Sequence, residues 1–210
     1  MIISPGRRFI FVHIPKTGGT SMAAALEARA HKDDILIGDT PKARKRRARV
    51  ELLKAPGRLW KHSTLADIQG VVPFDDMFVF CLVRNPWDRL VSYYHWLQGQ
   101  SFDHPAVGLA QRLGFADFLR HPFNEGTLRR WDYARYVTDA AGEERCDLFL
   151  RLERLHEDWG PLVDRLGFEP EMGHENRSER GDYRGYYDDA LAEWVGEVCA
   201  RDIARFGYAF

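Results

Sequence analysis

The sequence predicts an α/β fold, a central parallel sheet flanked by helices, on three observations. Phe9-Ile10-Phe11-Val12-His13-Ile14 and Met77-Phe78-Val79-Phe80-Cys81-Leu82-Val83 are short apolar runs without polar alternation, the pattern of parallel strands covered on both faces. Each run stops at turn residues and gives way to helix-forming sequence. A third run, Asp147-Leu148-Phe149-Leu150-Arg151-Leu152, repeats the arrangement ahead of a helix carrying Leu155, Trp159, Leu162, Val163 and Leu166 on one face.

The chain has 210 residues, 45% of them hydrophobic, and a formal net charge of −1. That length suits one domain, 1–210, with a full core. Near-neutral charge argues against a protein built to coat nucleic acid or an acidic membrane surface. Cys81, Cys146 and Cys199 are odd in number and far apart in sequence, without a Cys-x-x-Cys pair. Cys81 and Cys199 fall in core patterns, so the cysteines read as reduced, apolar residues of a reducing compartment. No signal peptide precedes the first strand and no apolar span is long enough to cross a bilayer. A cytoplasmic location is the expectation.

After the first strand come Pro15-Lys16-Thr17-Gly18-Gly19-Thr20-Ser21 and the helix former Met22-Ala23-Ala24-Ala25-Leu26. A strand that enters a helix through two glycines turns the first helical N–H groups into the bend. With the positive end of the helix dipole they form an anion site, to which Lys16 adds charge and Thr20 and Ser21 add hydroxyls. A nucleotide-binding Walker A loop needs its lysine after the glycines, beside a magnesium-binding hydroxyl. Here Lys16 precedes Gly18 and Gly19, and no strand ends in the aspartate of a Walker B partner. The reading is a metal-free cradle for phosphate or sulfate; the bland alternative is a strand–turn–helix with no ligand.

Further along, Asp33 to Asp39 reads as a short strand and turn. Asp39, Thr40 and Pro41 then start a helix through the basic run Lys42-Ala43-Arg44-Lys45-Arg46-Arg47-Ala48-Arg49. That run is either a solvated helix face or a patch for an anionic acceptor. His62 ends an extended segment before Ser63 and Thr64, which can cap a short helix through Ile68. After the second core strand, Asn85 and Pro86 mark a helix start. Trp87, Leu90, Val91 and Tyr94 form its packing face, with Asp88, Ser92 and His95 on another. Arg84, at the strand's carboxyl end, and Ser92 form a second candidate anion site; the alternative is an Arg84–Asp88 pair. Residues 99–146 read as a helical insertion, with short helices at Phe115–Leu119 and Tyr133–Val137, contributing to the acceptor side. There Trp131 and Tyr133 are either acceptor contacts or core. Gly160-Pro161 is expected to kink or split its helix, and Gly167 to end it. His174 to Gly181 reads as a polar loop. One long helix with Leu191, Trp194, Val195, Val198, Ile203 and Phe206 inward closes the chain.

Pro15-Lys16-Thr17-Gly18-Gly19-Thr20-Ser21 and Arg84-Asn85-Pro86-Trp87-Asp88-Arg89-Leu90-Val91-Ser92 together resemble the sulfotransferases that use 3′-phosphoadenosine 5′-phosphosulfate (PAPS). The carbohydrate (family 2) branch, in its bacterial-type form, is the nearer match. The His62 segment, Asp147–Leu152 with Glu153, Asn176-x-Ser178 and Asp202-Ile203-Ala204-Arg205-Phe206-Gly207-Tyr208 extend the likeness nearly end to end. The resemblance implies a three-layer fold like that of P-loop nucleotide kinases. It implies that Lys16, Thr17, Gly18, Gly19, Thr20 and Ser21 hold the 5′-phosphosulfate, that Arg84 and Ser92 hold the 3′-phosphate, and that Asn176, Arg177 and Ser178 close over the nucleotide. Lys16 and His62 are then the catalytic residues, His62 as general base, with His13 its rival, and no metal takes part. The best-known relatives carry an N-terminal membrane anchor and disulfides, which this sequence lacks. A carbohydrate or other hydroxyl-bearing acceptor, anionic if the basic run recruits it, is the expected partner, and nucleic acid is not. The competing classes are a P-loop-type kinase and a non-catalytic nucleotide-binding module.

Overall fold

The structure, a computed structural model, describes residues 1–173 and 181–210. Along the chain, β1 (Ile2–Ser4) and β2 (Phe9–Val12) lead to α1 (Gly19–Ala28), β3 (Ile35–Leu36), α2 (Pro41–Lys45), α3 (Arg47–Glu51) and β4 (Phe78–Val83). Then follow α4 (Pro86–Gln98), α5 (Pro105–Arg112), α6 (Phe115–Arg120), α7 (Pro122–Arg130) and α8 (Tyr133–Val137). The rest is β5 (Leu148–Arg151), α9 (Leu155–Leu166), α10 (Asp189–Val198) and α11 (Ala200–Phe206). The chain divides into two compact units, Met1–Val83 with Tyr133–Asn176, and Arg84–Asp132 with Arg177–Phe210.

The first unit holds a five-stranded sheet in the order β3-β1-β2-β4-β5. β2, β4 and β5 are parallel, with Val12 opposite Cys81 and Leu82 opposite Leu150. The unforeseen β1 is antiparallel to both β2 and β3. β1 is only three residues long, too short for a periodic signal, and reaches β2 through a turn at Pro5 to Arg8. Side chains alternate between the faces of a strand. One face sends Phe11, Phe80, Leu82 and Leu150 against Met22 and Leu26 of α1 and Leu162 and Leu166 of α9. The other carries Ile10, Val79, Cys81 and Val83, each no more than 1% exposed. Burial on both faces is why these strands read as unbroken apolar runs.

The expected split of the helix at Gly160-Pro161 does not occur. α9 runs unbroken past Gly160 and Pro161. An interior proline costs about 3 kcal/mol, but burying Leu162 and Leu166 returns roughly 1.5–3 kcal/mol each, and the ring of Pro161 is on the exposed side. The sulfurs of Cys81 and Cys146, distant in sequence, lie 3.9 Å apart because β4 pairs with β5; both are free thiols.

In the second unit α4 is the hub. Asn85 caps it by accepting from Trp87 N, and its amide donates to Ala209 O at 2.9 Å. Trp87, Leu90, Val91, Tyr94 and Leu97 pack with Val107, Phe115 and Phe118 and with Leu191 and Val195 of α10. The expected single closing helix is two, parted at Cys199, whose backbone (φ −104, ψ 17) leaves helical values. α5 and α7 were not anticipated; each opens on a proline after a histidine cap, His104 or His121.

Candidate active site

The loop after β2 is held by unusual backbone. Lys16 has φ 66 and Gly18 φ 85, a left-handed conformation that costs a side-chain-bearing residue such as lysine about 1 kcal/mol or more. Thr17 is fully buried and donates from its hydroxyl to Ile14 O at 2.9 Å, so its side chain braces the loop. Gly19 is required for a different reason. A Cβ there would sit 2.1 Å from Cδ2 of the His13 ring, so the imidazole lies directly on the glycine backbone. Gly18 at the N-cap of α1 offers no side-chain hydrogen bond, and no acid occupies the first turn. The positive end of α1 therefore has no competing side-chain cap. Thr20 is exposed and Ser21 is 6% exposed.

His62 sits beside this loop on a tight turn. Trp60 N donates to Ser63 Oγ, Ser63 N donates back to Trp60 O, and Ser63 Oγ also reaches Arg58 O. Thr64 and Asp67 cap each other reciprocally after it. His62 Nδ1 donates to the His13 carbonyl at 2.8 Å. A carbonyl only accepts, so this bond fixes the tautomer: Nδ1 carries the hydrogen and Nε2 carries the basic lone pair in the neutral ring. The His13 and His62 rings stand edge to face at 4.7 Å, and Trp60 closes the other side of His62 at 5.0 Å.

His13 is 6% exposed. Burial, with the neighbouring charges of His62 and Lys61 adding, pushes its pKa well below 6.5. The unfolded chain takes up this proton near pH 6.5 and the folded chain does not, so stability is lost as the pH falls below about 6.5. In urea titrations between pH 7 and 5, the wild type should lose up to about 1.4 kcal/mol per pH unit more than His13→Gln. Parallel curves for the two proteins would remove the burial argument.

The basic run has a structural task. Lys42 ends on Glu27 O, Arg46 Nη1 donates to His31 O at 2.7 Å, and Arg49 donates to Lys32 O. These cations cover carbonyls at and just beyond the C-terminus of α1, where positive charge is favoured. Arg47 pairs with Glu51.

In the second unit, Arg84 Nε and Nη2 both donate to Asp88 Oδ2, at 2.8 and 2.6 Å. The alternative pairing weighed for Arg84 is thus present. Ser92 is buried one turn further along α4, and His95 Nε2 lies 2.8 Å from the Tyr186 hydroxyl. Tyr133 is fully buried in the first unit and is core, not an acceptor contact. Asn176, Arg177 and Ser178 lie outside the described residues. Among the described residues no group of three or more His, Cys, Asp or Glu is placed to hold a metal ion, and no helix is long and apolar enough to cross a membrane. Sequence reasoning passed over Glu27, Asp39 and Lys61; the one available signal was an acid, Glu27, at the end of the apolar run of α1.

A mostly parallel sheet flanked by helices, with an uncapped helix start after β2, defines a P-loop-like α/β architecture. The mouse sulfotransferase SULT7A1 complexed with PAP shares it, at a TM-score of 0.50 and 13% identity over 96% of this chain and 85% of that one. No curated protein sequence matches the chain. The sequence pattern of the sulfotransferase family matches residues 1–208. The chain belongs to the sulfotransferase family, as its two motifs implied.

Proposed function

We propose that the chain transfers a sulfuryl group from PAPS to an acceptor hydroxyl on a carbohydrate. The observation that carries this reading is the loop at Lys16–Ser21: strained backbone, two glycines with separate duties, and a helix start without a competing cap. The mouse sulfotransferase was solved with PAP, the desulfated form of the donor. Lys16 and the α1 N-terminus hold the 5′-phosphosulfate, with Thr17, Gly18, Gly19, Thr20 and Ser21 shaping the loop. Arg84 and Ser92 hold the 3′-phosphate, and Asn176, Arg177 and Ser178 complete the nucleotide contacts, by the family resemblance.

The acceptor oxygen attacks sulfur, its proton passes to His62 Nε2, and the sulfur–oxygen bond to the phosphate breaks. PAP leaves with the bonding pair, and Lys16 offsets the charge growing on the bridging oxygen. No metal takes part in this reading. The fixed tautomer of His62 supports it as the base, and the depressed pKa of buried His13 argues against the rival.

Calorimetric titration with PAP, ADP and ATP, with and without magnesium, tests the donor assignment. PAP should bind without magnesium, more tightly than ADP, and less tightly to Arg84→Ala. Lys16→Ala should lower turnover more than PAP affinity. Preference for ATP with magnesium would overturn the reading in favour of a kinase.

A further inference from the structure

Beside the loop, within the first unit, lies a cavity of about 240 Å³. At about 30 Å³ per molecule of liquid water it has room for roughly eight waters, the space of a single sugar ring with its hydroxyls. Its polar lining is His13, Thr20, Glu27, Asp39, Thr40 and Lys61. Thr20 belongs to the anion loop, Lys61 immediately precedes His62, and the His13 ring is in edge contact with that of His62. The cavity thus borders the loop assigned to the donor at Thr20, and the His13 ring stands between it and the base, His62.

One of these groups points to a ligand. The His13 ring is 6% exposed, and among the described residues neither of its nitrogens has a hydrogen-bond partner. Among the described residues the fully buried unpartnered side-chain atoms are Ser4 Oγ and Asp34 Oδ1, so the His13 nitrogens keep some access to the cavity, where a hydroxyl can donate to the ring or accept from it. The charge of the lining then selects the ligand. Lys61 and Asp39 neutralise one another at 2.8 Å, and this bond holds Asp39 below the usual carboxylate range. Burial pushes the amine of Met1, which also lines the cavity, down to about 5, so it is uncharged at neutral pH. Glu27 remains. It is 7% exposed, accepts from the Thr40 hydroxyl, and has no cation within 4.0 Å of its carboxylate among the described residues, since Lys42 ends on its carbonyl instead. Counting the lining groups alone the surplus charge is negative; Lys42, Arg44 and Arg46 stand outside the lining, and burial raises the pKa of Glu27.

We infer that this cavity is the acceptor subsite and that it takes an uncharged polyhydroxyl ring, turning away rings that carry a carboxylate or a sulfate. The inference rests on the sulfotransferase reading and sharpens it: the acceptor is neutral, and Lys42, Arg46 and Arg49 of the basic run are engaged at the end of α1.

The probes are the methyl glycosides of glucose, galactose and mannose against those of glucuronic and galacturonic acid. Their binding is followed by saturation-transfer NMR with and without PAP. At least one neutral glycoside should bind and its uronate should not. Gly38 lines the cavity on ordinary backbone, and a Cβ there meets nothing closer than 3.9 Å. Gly38→Phe should therefore abolish the glycoside signal while PAP affinity persists, and Glu27→Gln should admit the uronate. Binding of neither class, equal binding of both by the wild type, or a signal that survives Gly38→Phe would overturn the inference. Failure of PAP to bind would instead strike the donor assignment, which is measured separately.

Discussion

His62→Ala should lower sulfuryl transfer by roughly 10²–10⁴-fold, the usual contribution of a general base, while PAP affinity stays close to wild type. The separation follows from how His62 is held. Its ring is anchored to the loop strand by a bond to the backbone carbonyl of His13, and the turn beneath it is closed by Trp60, Ser63, Thr64 and Asp67. Removing the ring leaves that turn and the anion loop in place. Transfer assayed with saturating donor, alongside PAP calorimetry, separates the two quantities. Equal loss of both would make His62 a structural residue, and transfer that survived would return the role of base to another group.

Gly19→Ala should weaken PAP binding by on the order of 100-fold, about 2.7 kcal/mol. The added methyl would lie 2.1 Å from one His13 ring carbon and 2.5 Å from Nε2. The ring is packed between Phe11 and His62 and has little freedom to retreat. The loop must move instead, and α1's first turn with it. The double variant His13→Ala/Gly19→Ala removes the obstacle, so it should recover much of the binding. The two changes should couple by about 1–3 kcal/mol in a double-mutant cycle, within the range for residues in contact. PAP binding is the readout here, because the His13 ring also lines the acceptor cavity and its loss lowers transfer by itself. Strict additivity would show that the glycine is needed for some other reason.

Much of this geometry was legible before any coordinates. The strands at Phe9 and Phe78 announce themselves because both faces are buried, and Asn85-Pro86 places the start of α4 because capping chemistry is local. The strand–turn–helix at Lys16–Ser21 was legible for the same reason: two glycines between a strand and a helix leave few alternatives. What stayed hidden depends on contacts distant in the chain. The hydroxyl of Thr17 braces the loop through Ile14 O, a contact that the local sequence does not announce. For Arg84 the sequence left two fates open, an anion or a pair with Asp88, and the helix geometry shows the pair. Cys81 and Cys146 meet only through strand pairing. The cavity draws on Met1, the His13–Glu27 stretch, Ile37–Pro41 and Lys61, and no local spacing relates these pieces. β1 and the junction at Cys199 escaped because a three-residue strand and a one-residue departure from helix leave no periodic trace.

His13 faces two ways: its ring supports the glycine of the loop and its carbonyl orients the base. In the proposed mechanism, donor loop and base are therefore mounted on a single residue at the end of one strand. For anyone seeking to change what this enzyme modifies, that joint divides the protein into a part to leave alone and a part to vary. Substitutions at the rim formed by Gly38, Asp39 and Pro41 alter the space offered to the acceptor without touching the joint, so libraries built there should retain the reaction while changing its target.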